Sequence, residues 1–262
     1  MITLRLKVLV GERWGLRLVD EIERSSLAPY AWATKQLQVI KRTASSLVGL
    51  VEIGEQPCYL KFYLSKSRWQ WLWFRLGLGR GSRSFKMANE LLHCGILVPR
   101  PLSCVLVPRG MILLTEAISD ATDMQTMWER GLIGAEGETA HRCWHTAGTS
   151  LAQLHNAGFV HGDFKWSNLI YHKEDLYLVD LEAVAVVGRQ DKKRYRDLAR
   201  FILNAEDMGA PRHCYELFMS AYLDASGQVE KNVVAGTMPF LSAMRSHHIQ
   251  KYGPRGHALM VL

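Results

Sequence analysis

His161, Asp163, Asn168 and Asp180 are residue types that do chemistry, and their spacing suits phosphoryl transfer. The run His161-Gly162-Asp163-Phe164-Lys165-Trp166-Ser167-Asn168 is followed shortly by Leu178-Val179-Asp180-Leu181-Glu182. Asp163 can accept the proton of an attacking hydroxyl. Asn168 and Asp180 can supply oxygen ligands to a magnesium ion carried on a nucleotide's phosphates. Loop capping would account for Asp163 or Asn168 alone, and strand termination for Asp180. Three such accidents in this order explain the pattern poorly. An H-x-D-x-x-x-x-N run with a later Asp closing an apolar strand is a catalytic-loop signature of phosphotransferases. Lys165, two residues after Asp163, is placed to touch a transferring phosphate.

Such a loop needs elements to hold it. The segment 141–157 is amphipathic, with Leu151 and Leu154 on one face, and Gly158 ends it. Residues 168–171 and 176–179 read as a hairpin that brings Asn168 and Asp180 to adjacent strand ends. Asp197, 17 positions after Asp180, lies in a helical stretch and reads as a brace for the loop backbone. So short an interval leaves no room for a long peptide-docking segment, which favours a small or glycan acceptor.

Upstream, residues 38–42, 47–53 and 58–63 read as a strand meander. Lys61 is a charge inside an apolar strand, aimed at the α- and β-phosphates of ATP or, alternatively, outward from an edge strand. The loop at 43–46 has no G-x-G-x-x-G; it reads equally as a phosphate cover and as a plain hairpin turn. A helix is expected from Ser82 to His93, and Glu90 is the acid in it that can pair with Lys61. The helical period nevertheless sets Glu90 opposite Phe85, Ala88, Leu91 and Leu92. Residues 101–107 and 110–116 read as two further strands. Glu116 and Ile118, at the end of the second, are the backbone positions for an adenine edge, while Asp120 and Asp123 read as helix caps or ribose ligands. Residues 1–35 read as a short strand, turns at Gly11 and Gly15, and a polar segment. The C-terminal part reads as helices near 211–224 and 229–251, with Arg212, His213, Arg245, His247, His248 and Lys251 on a solvated face or around an anionic acceptor.

At 262 residues with 48% hydrophobic and 22% charged residues, the chain has the composition of a folded protein of one large domain or two lobes. A formal net charge of +7 fits an anionic partner, and equally a basic surface kept for solubility. The five cysteines are scattered without C-x-x-C spacing and read as reduced core thiols of a cytoplasmic protein. Neither a signal peptide nor an apolar run of transmembrane length is legible. The stretch Arg68-Trp69-Gln70-Trp71-Leu72-Trp73-Phe74-Arg75 sets aromatic rings between cations. It suits a membrane interface or a lipid-linked anionic substrate, and equally the packing of an insert onto the strands. No nucleic-acid-binding motif accompanies it.

Taken together, Leu60-Lys61-Phe62, the helix running into Gly95-Ile96-Leu97-Val98-Pro99-Arg100-Pro101, His161-Gly162-Asp163 with Asn168, and Val179-Asp180-Leu181-Glu182 resemble the bacterial lipopolysaccharide core kinases, the Kdo and heptose kinases and their relatives. The resemblance covers about residues 38–205. It implies an α+β, two-lobed protein-kinase-like fold, with a small β-rich lobe over 1–117 and a mostly helical catalytic lobe over 118–262. It also implies ATP and Mg²⁺ as cofactors, and transfer of the γ-phosphate to an inner-core sugar of lipopolysaccharide at the cytoplasmic face of the inner membrane; residues 68–80, by their own composition, are the stretch that could make a peripheral contact there or pack onto the strands. Asp163 then corresponds to the base, Asn168 and Asp180 to the metal ligands, and Lys61 to the phosphate anchor. The D-x-E ending is shared with aminoglycoside- and choline-kinase-like enzymes. A small-molecule kinase of that type and a non-catalytic binding module are the alternatives.

Overall fold

The computed structural model describes residues 6–134, 137–188, 191–254 and 256–261. The chain forms two compact units, Met1–His93 with Val98–Ser119, and Cys94–Leu97 with Asp120–Leu262. Residues 1–5 of the strand expected at the N-terminus lie outside the described residues.

The first unit runs β1 (Lys7–Val10), α1 (Glu12–Arg24), α2 (Pro29–Gln36), β2 (Gln38–Arg42), β3 (Ser46–Ile53), β4 (Gln56–Leu64), α3 (Arg68–Arg75), α4 (Arg80–His93), β5 (Pro101–Val107) and β6 (Gly110–Glu116). Its strands form one antiparallel sheet in the order β1-β5-β6-β4-β3-β2. Period-two alternation sends the side chains of β4 to opposite faces. Cys58, Leu60 and Phe62 join Leu18, Ile22, Trp32 and Ala33 of α1 and α2 in one core. Tyr63 and its neighbours on the other face pack with Phe74 of α3 and Phe85 of α4.

Helix α1 replaces the turns and polar segment expected before Pro29, and α2 begins at Pro29 itself. Glycine at 15 reads as a turn former, but here it is a packing residue. A Cβ there would lie 2.5 Å from the Val8 side chain and 2.6 Å from Ser103 Oγ, so only glycine lets α1 approach the sheet this closely. Gly15, Leu18 and Ile22 form the buried stripe of α1, at the i, i+3, i+7 spacing of one helical face.

The second unit contains β7 (Thr122–Asp123), α5 (Met124–Glu129), α6 (Glu138–Asn156), β8 (Phe159–Val160), β9 (Leu169–His172), β10 (Asp175–Leu178), β11 (Ala185–Val186), α7 (Lys193–Asp207), α8 (Arg212–Ser226) and α9 (Glu230–Tyr252). Its strands are short and pair as β10-β9-β7 and β11-β8. Its core is aromatic. Trp144 of α6 lies edge-on to Trp166 and to Phe201 of α7, with centroids 5.2 and 5.7 Å apart, and Phe201 stacks on Phe218 of α8 at 3.8 Å. Such pairs contribute about 0.5–1.5 kcal/mol each beyond the area they bury.

Two of the C-terminal cations are structural rather than part of a solvated face or an acceptor frame. Arg245 of α9 forks onto Glu206 of α7, with Nε 2.8 Å from Oε2, and its Nη2 also donates to the Met260 carbonyl at 2.8 Å. His248 Nδ1 lies 2.8 Å from Asp207 Oδ2. Both pairs fasten α9 to α7.

Candidate active site

The loop between β8 and β9 carries the residues expected to do the chemistry, and α7 holds it. Asp197 of α7 is fully buried, and its two carboxylate oxygens accept the backbone N–H groups of His161 (2.6 Å) and Gly162 (2.8 Å). A relay stands behind it: Gln228 Nε2 lies 3.2 Å from the Tyr222 hydroxyl, which lies 3.0 Å from His155 Nδ1, and His155 Nε2 lies 3.5 Å from Asp197 Oδ2. A carboxylate can only accept, so the His155 proton sits on Nε2 and Tyr222 donates to Nδ1.

His161 does not face solvent. Its buried ring sends Nε2–H to the Val179 carbonyl at 3.1 Å, while Nδ1 accepts the Asp163 N–H at 3.4 Å. Burial is the main influence that pulls its pKa below 6.5, partly opposed by the Asp197 charge. His155 is shifted the same way, also chiefly by burial. Both rings are therefore neutral scaffolding at pH 7. Directly after His161 the chain turns at Gly162, with φ +79°, where a Cβ would sit 2.7 Å from the Ala183 carbonyl oxygen. Any other residue there would push the loop off the segment that follows Asp180.

Asp163 emerges from this turn a quarter exposed and held by three groups. Lys165 Nζ lies 2.8 Å from Oδ2, Arg200 Nε lies 3.3 Å from Oδ1, and the Asn168 amide donates to the backbone carbonyl of Asp163 at 2.9 Å and more weakly to Oδ2 at 3.3 Å. Committing the Asn168 NH₂ to Asp163 fixes the amide's orientation and leaves Oδ1 as its acceptor. The β9–β10 register pairs Leu169 with Leu178, and the Val179 N–H bonds the Asn168 carbonyl at 3.0 Å. Asn168 and Asp180 therefore leave the same end of one hairpin, as their spacing predicts. Asp180 occupies the left-handed region at φ +59°, where Asp and Asn are the side chains best tolerated. An amide oxygen and a carboxylate are hard donors suited to magnesium. No cluster of three or more His, Cys, Asp or Glu able to hold a metal occurs among the described residues. The donor set thus fits an ion that arrives with phosphate oxygens, not one caged by protein alone.

Arg200 and Asn204 were not singled out by sequence reading. With Asp197 they occupy positions i, i+3 and i+7 of α7, and Asn204 Oδ1 accepts the Trp166 N–H at 3.1 Å. A polar stripe at helical spacing, directly after the Asp180 motif, was the signal that could have revealed them.

The remaining expected site residues belong to the first unit. Lys61 is half-buried on β4, an interior strand of the sheet, which removes the edge-strand alternative. Its Nζ lies 5.4 Å over the Tyr63 ring, and its cross-strand neighbours are Val48 and Leu113. Glu90 pairs with Lys86, one turn away on α4, at 3.6 Å. The inward face of α4 is Ser84, Met87, Ala88 and Leu91, while Phe85 is only half-buried. The loop at 43–46 is a hairpin turn in which Thr43 Oγ1 accepts the N–H groups of Ser45 (3.2 Å) and Ser46 (3.0 Å). Glu116 spends its N–H on the Arg100 carbonyl at 3.0 Å, so any backbone contact it makes to a nucleotide is through its own carbonyl. In the second unit, Asp123 caps α5 through the Thr126 N–H and hydroxyl, at 3.0 and 2.7 Å.

Residues 31–222, well over half the chain, match the family model described as the lipopolysaccharide kinase (Kdo/WaaP) family. The chain belongs to that family. Among curated relatives, the 3-deoxy-D-manno-octulosonic acid kinase of Vibrio parahaemolyticus serotype O3:K6 (strain RIMD 2210633) is 28% identical over 108 residues, 39% of this chain and 43% of that protein. The RIO-type serine/threonine-protein kinase Rio1 of Haloferax volcanii is 26% identical over 124 residues, 45% of this chain and 40% of that protein. The chain thus spans less than half the length of the curated relatives it matches. Two solved structures share its fold. WaaP in complex with acyl carrier protein aligns over 95% of this chain and 99% of its own, at TM-score 0.57 and 14% identity. The spectinomycin phosphotransferase APH(9)-Ia, in complex with ADP and spectinomycin, aligns over 85% of each chain at TM-score 0.55 and 9% identity. As a Kdo/WaaP family member, the chain has a mixed α+β kinase fold with a β-sheet N-terminal region and a helical C-terminal part.

Proposed function

We propose that this protein is an ATP-dependent kinase that transfers the γ-phosphate to a sugar hydroxyl of the lipopolysaccharide inner core. The observation that carries the reading is the Asp163–Asn168 contact at the end of the hairpin that also presents Asp180. It supports a reading in which a proton acceptor works beside two oxygen donors of the kind a nucleotide-bound magnesium takes. Asp163 orients the acceptor hydroxyl and takes its proton as that oxygen bonds to the γ-phosphorus and ADP leaves. Lys165 and Arg200 stand as cations beside the two carboxylate oxygens, each of which keeps a lone pair for that hydroxyl. Asn168 and Asp180 are the residues that would hold magnesium, and the ion would supply positive charge to the transferring phosphates. In the first unit, Lys61 anchors the α- and β-phosphates, and the backbone at Glu116 and Ile118 meets the adenine edge. Catalysis of this kind rests on positioning and charge neutralisation rather than on a covalent intermediate.

Membership of the Kdo/WaaP family supports the acceptor class, and the net charge of +7 favours an anionic glycolipid over a cationic aminoglycoside. The test is incubation with γ-labelled ATP, Mg²⁺ and core oligosaccharides that each lack one phosphate, with the product located by mass spectrometry. Label on one sugar hydroxyl of one acceptor is the expected result. Label on an aminoglycoside or amino alcohol, with none on any core oligosaccharide, would overturn the acceptor assignment.

A further inference from the structure

Helix α3 carries two apolar faces and uses only one of them. Phe74 is buried against Met111 and Tyr63 of the sheet, and half-buried Trp71 sends its indole N–H to the Val107 carbonyl at 3.2 Å. Ser67 caps the N-terminus by accepting the Gln70 N–H at 3.1 Å, and the Ser65 N–H ties the preceding turn to the Arg109 carbonyl at 2.9 Å. The helix is therefore fixed to the sheet through one face. On the other, Trp69, Leu72, Trp73 and Leu76 stand at i, i+3, i+4 and i+7 and are 74, 40, 55 and 64% exposed, with Leu78 beyond them at 61%. A contiguous ridge of this size on a folded protein marks an interaction surface.

Charge identifies what the ridge meets. No acidic residue occurs between Glu55 and Glu90, whereas Lys66, Arg68 and Arg75 are exposed at the two ends of α3, Arg75 with its guanidinium 5.1 Å over the Trp71 ring. Tryptophans beside cations, on a helix far too short to span a bilayer, are the composition of an element lying in the headgroup region. No helix among the described residues is long and apolar enough to cross a membrane. We propose that α3 and the loop to Leu78 seat the protein on an anionic bilayer surface, with Trp69, Trp73, Leu72 and Leu76 entering the interface and Lys66 and Arg68 contacting lipid phosphates. Because residues 66–78 all belong to the first unit, this docking does not depend on the reaction assigned above.

The experiment is flotation of the full chain with phosphatidylcholine vesicles, with and without phosphatidylglycerol. It is repeated with acyl-brominated lipid as a quencher of tryptophan emission. The wild type should float with the anionic vesicles, lose emission to the bromines and release at high salt. W69S/W73S should lower the bound fraction about tenfold or more and remove the quenching, and K66E/R68E should weaken binding to anionic vesicles selectively. All of these positions are exposed, so circular dichroism should find each variant folded. Absence of flotation with anionic vesicles, or flotation and quenching retained by W69S/W73S, would overturn the proposal. So would lipid-independent self-association that W69S/W73S abolishes in the absence of vesicle binding, since the ridge would then be an interface between two copies of this chain.

Discussion

Arg200 Nε lies 3.3 Å from Asp163 Oδ1, on the carboxylate oxygen that Lys165 does not hold. Two cations thus flank one carboxylate, Lys165 from a nearby loop position and Arg200 from α7, with Arg200 acting through its charge rather than through an aligned hydrogen bond. Arg200→Gln keeps a polar side chain but removes the charge. Misplacing a reacting group by a fraction of an ångström is costly, so kcat should fall about ten- to a hundredfold while the KM for ATP stays near its wild-type value. Arg200→Lys should restore part of the loss. Equal turnover in wild type and R200Q would show that Lys165 alone positions the base.

The brace behind the loop should appear as stability. Asp197 offers two acceptor oxygens to two backbone N–H groups in a fully buried site. Asparagine has only one acceptor oxygen, and its NH₂ would face an N–H. Asp197→Asn should cost about 2–4 kcal/mol, the penalty of a buried donor left unmade beside the loss of a charge-assisted bond. Urea unfolding measures it. A loss below 1 kcal/mol (about the value of an ordinary neutral hydrogen bond) would mean that the loop is held elsewhere.

Gly162 and Gly209 separate steric from conformational cost. Both have positive φ, +79° and +69°, but a Cβ at 162 meets the Ala183 carbonyl oxygen at 2.7 Å, whereas one at 209 meets nothing within 4 Å. Gly209→Ala should cost about 1–2 kcal/mol, the left-handed penalty alone. Gly162→Ala should cost more and also lower kcat, because relief of the contact displaces Asp163. Equal losses in the two variants would remove the steric argument.

Much of this arrangement was legible in the sequence, and the misses have physical causes. The bounds of β5 and β6 follow from uninterrupted apolar runs that turn at Pro108-Arg109, and α8 and α9 fall within two residues of their expected ends because Gly209, Pro211 and Gly227 punctuate them. Helix α1 was hidden by Gly11 and Gly15, which resemble turn formers, although Leu18 and Ile22 carry the helical period. Arg245 and His248 sit on a mostly polar helix, and only the packing of α9 on α7 gives them Glu206 and Asp207 as partners. The loop at 161–168 was legible because the residues proposed for the chemistry lie close together in sequence. Arg200 was not, because its role depends on where α7 packs.

Acid should destabilise the fold through the two buried imidazoles. In the native state the pKa values of His155 and His161 lie below 6.5, while in the unfolded chain they return to about that value. Below pH 6.5 the unfolded state therefore binds protons that the native state refuses, and stability falls as pH falls through the window between the native and unfolded values. Each ring contributes up to about 1.4 kcal/mol per pH unit there, and nothing above it. Urea unfolding between pH 7.5 and 5 should trace this decline, and His155→Gln should flatten its slope. An unchanged slope in that variant would assign the acid sensitivity to carboxylates instead.

Metal dependence of nucleotide binding tests Asp180. In the wild type ATP should raise the unfolding temperature more with Mg²⁺ than with EDTA; at a hundredfold excess over Kd the stabilisation amounts to about 2.7 kcal/mol. Asp180→Asn suits a test because asparagine tolerates the φ of +59° that this position requires, so the backbone keeps its course. What changes is one negative oxygen at the hairpin end beside Asn168. The variant should bind ATP equally with Mg²⁺ or EDTA, and Asn168→Ala should reduce the same difference while also loosening Asp163, whose backbone carbonyl the Asn168 amide holds. A Mg²⁺-dependent shift retained in D180N would move the metal to other oxygens. Its absence in the wild type would favour a binding module that has kept the catalytic residues without the reaction.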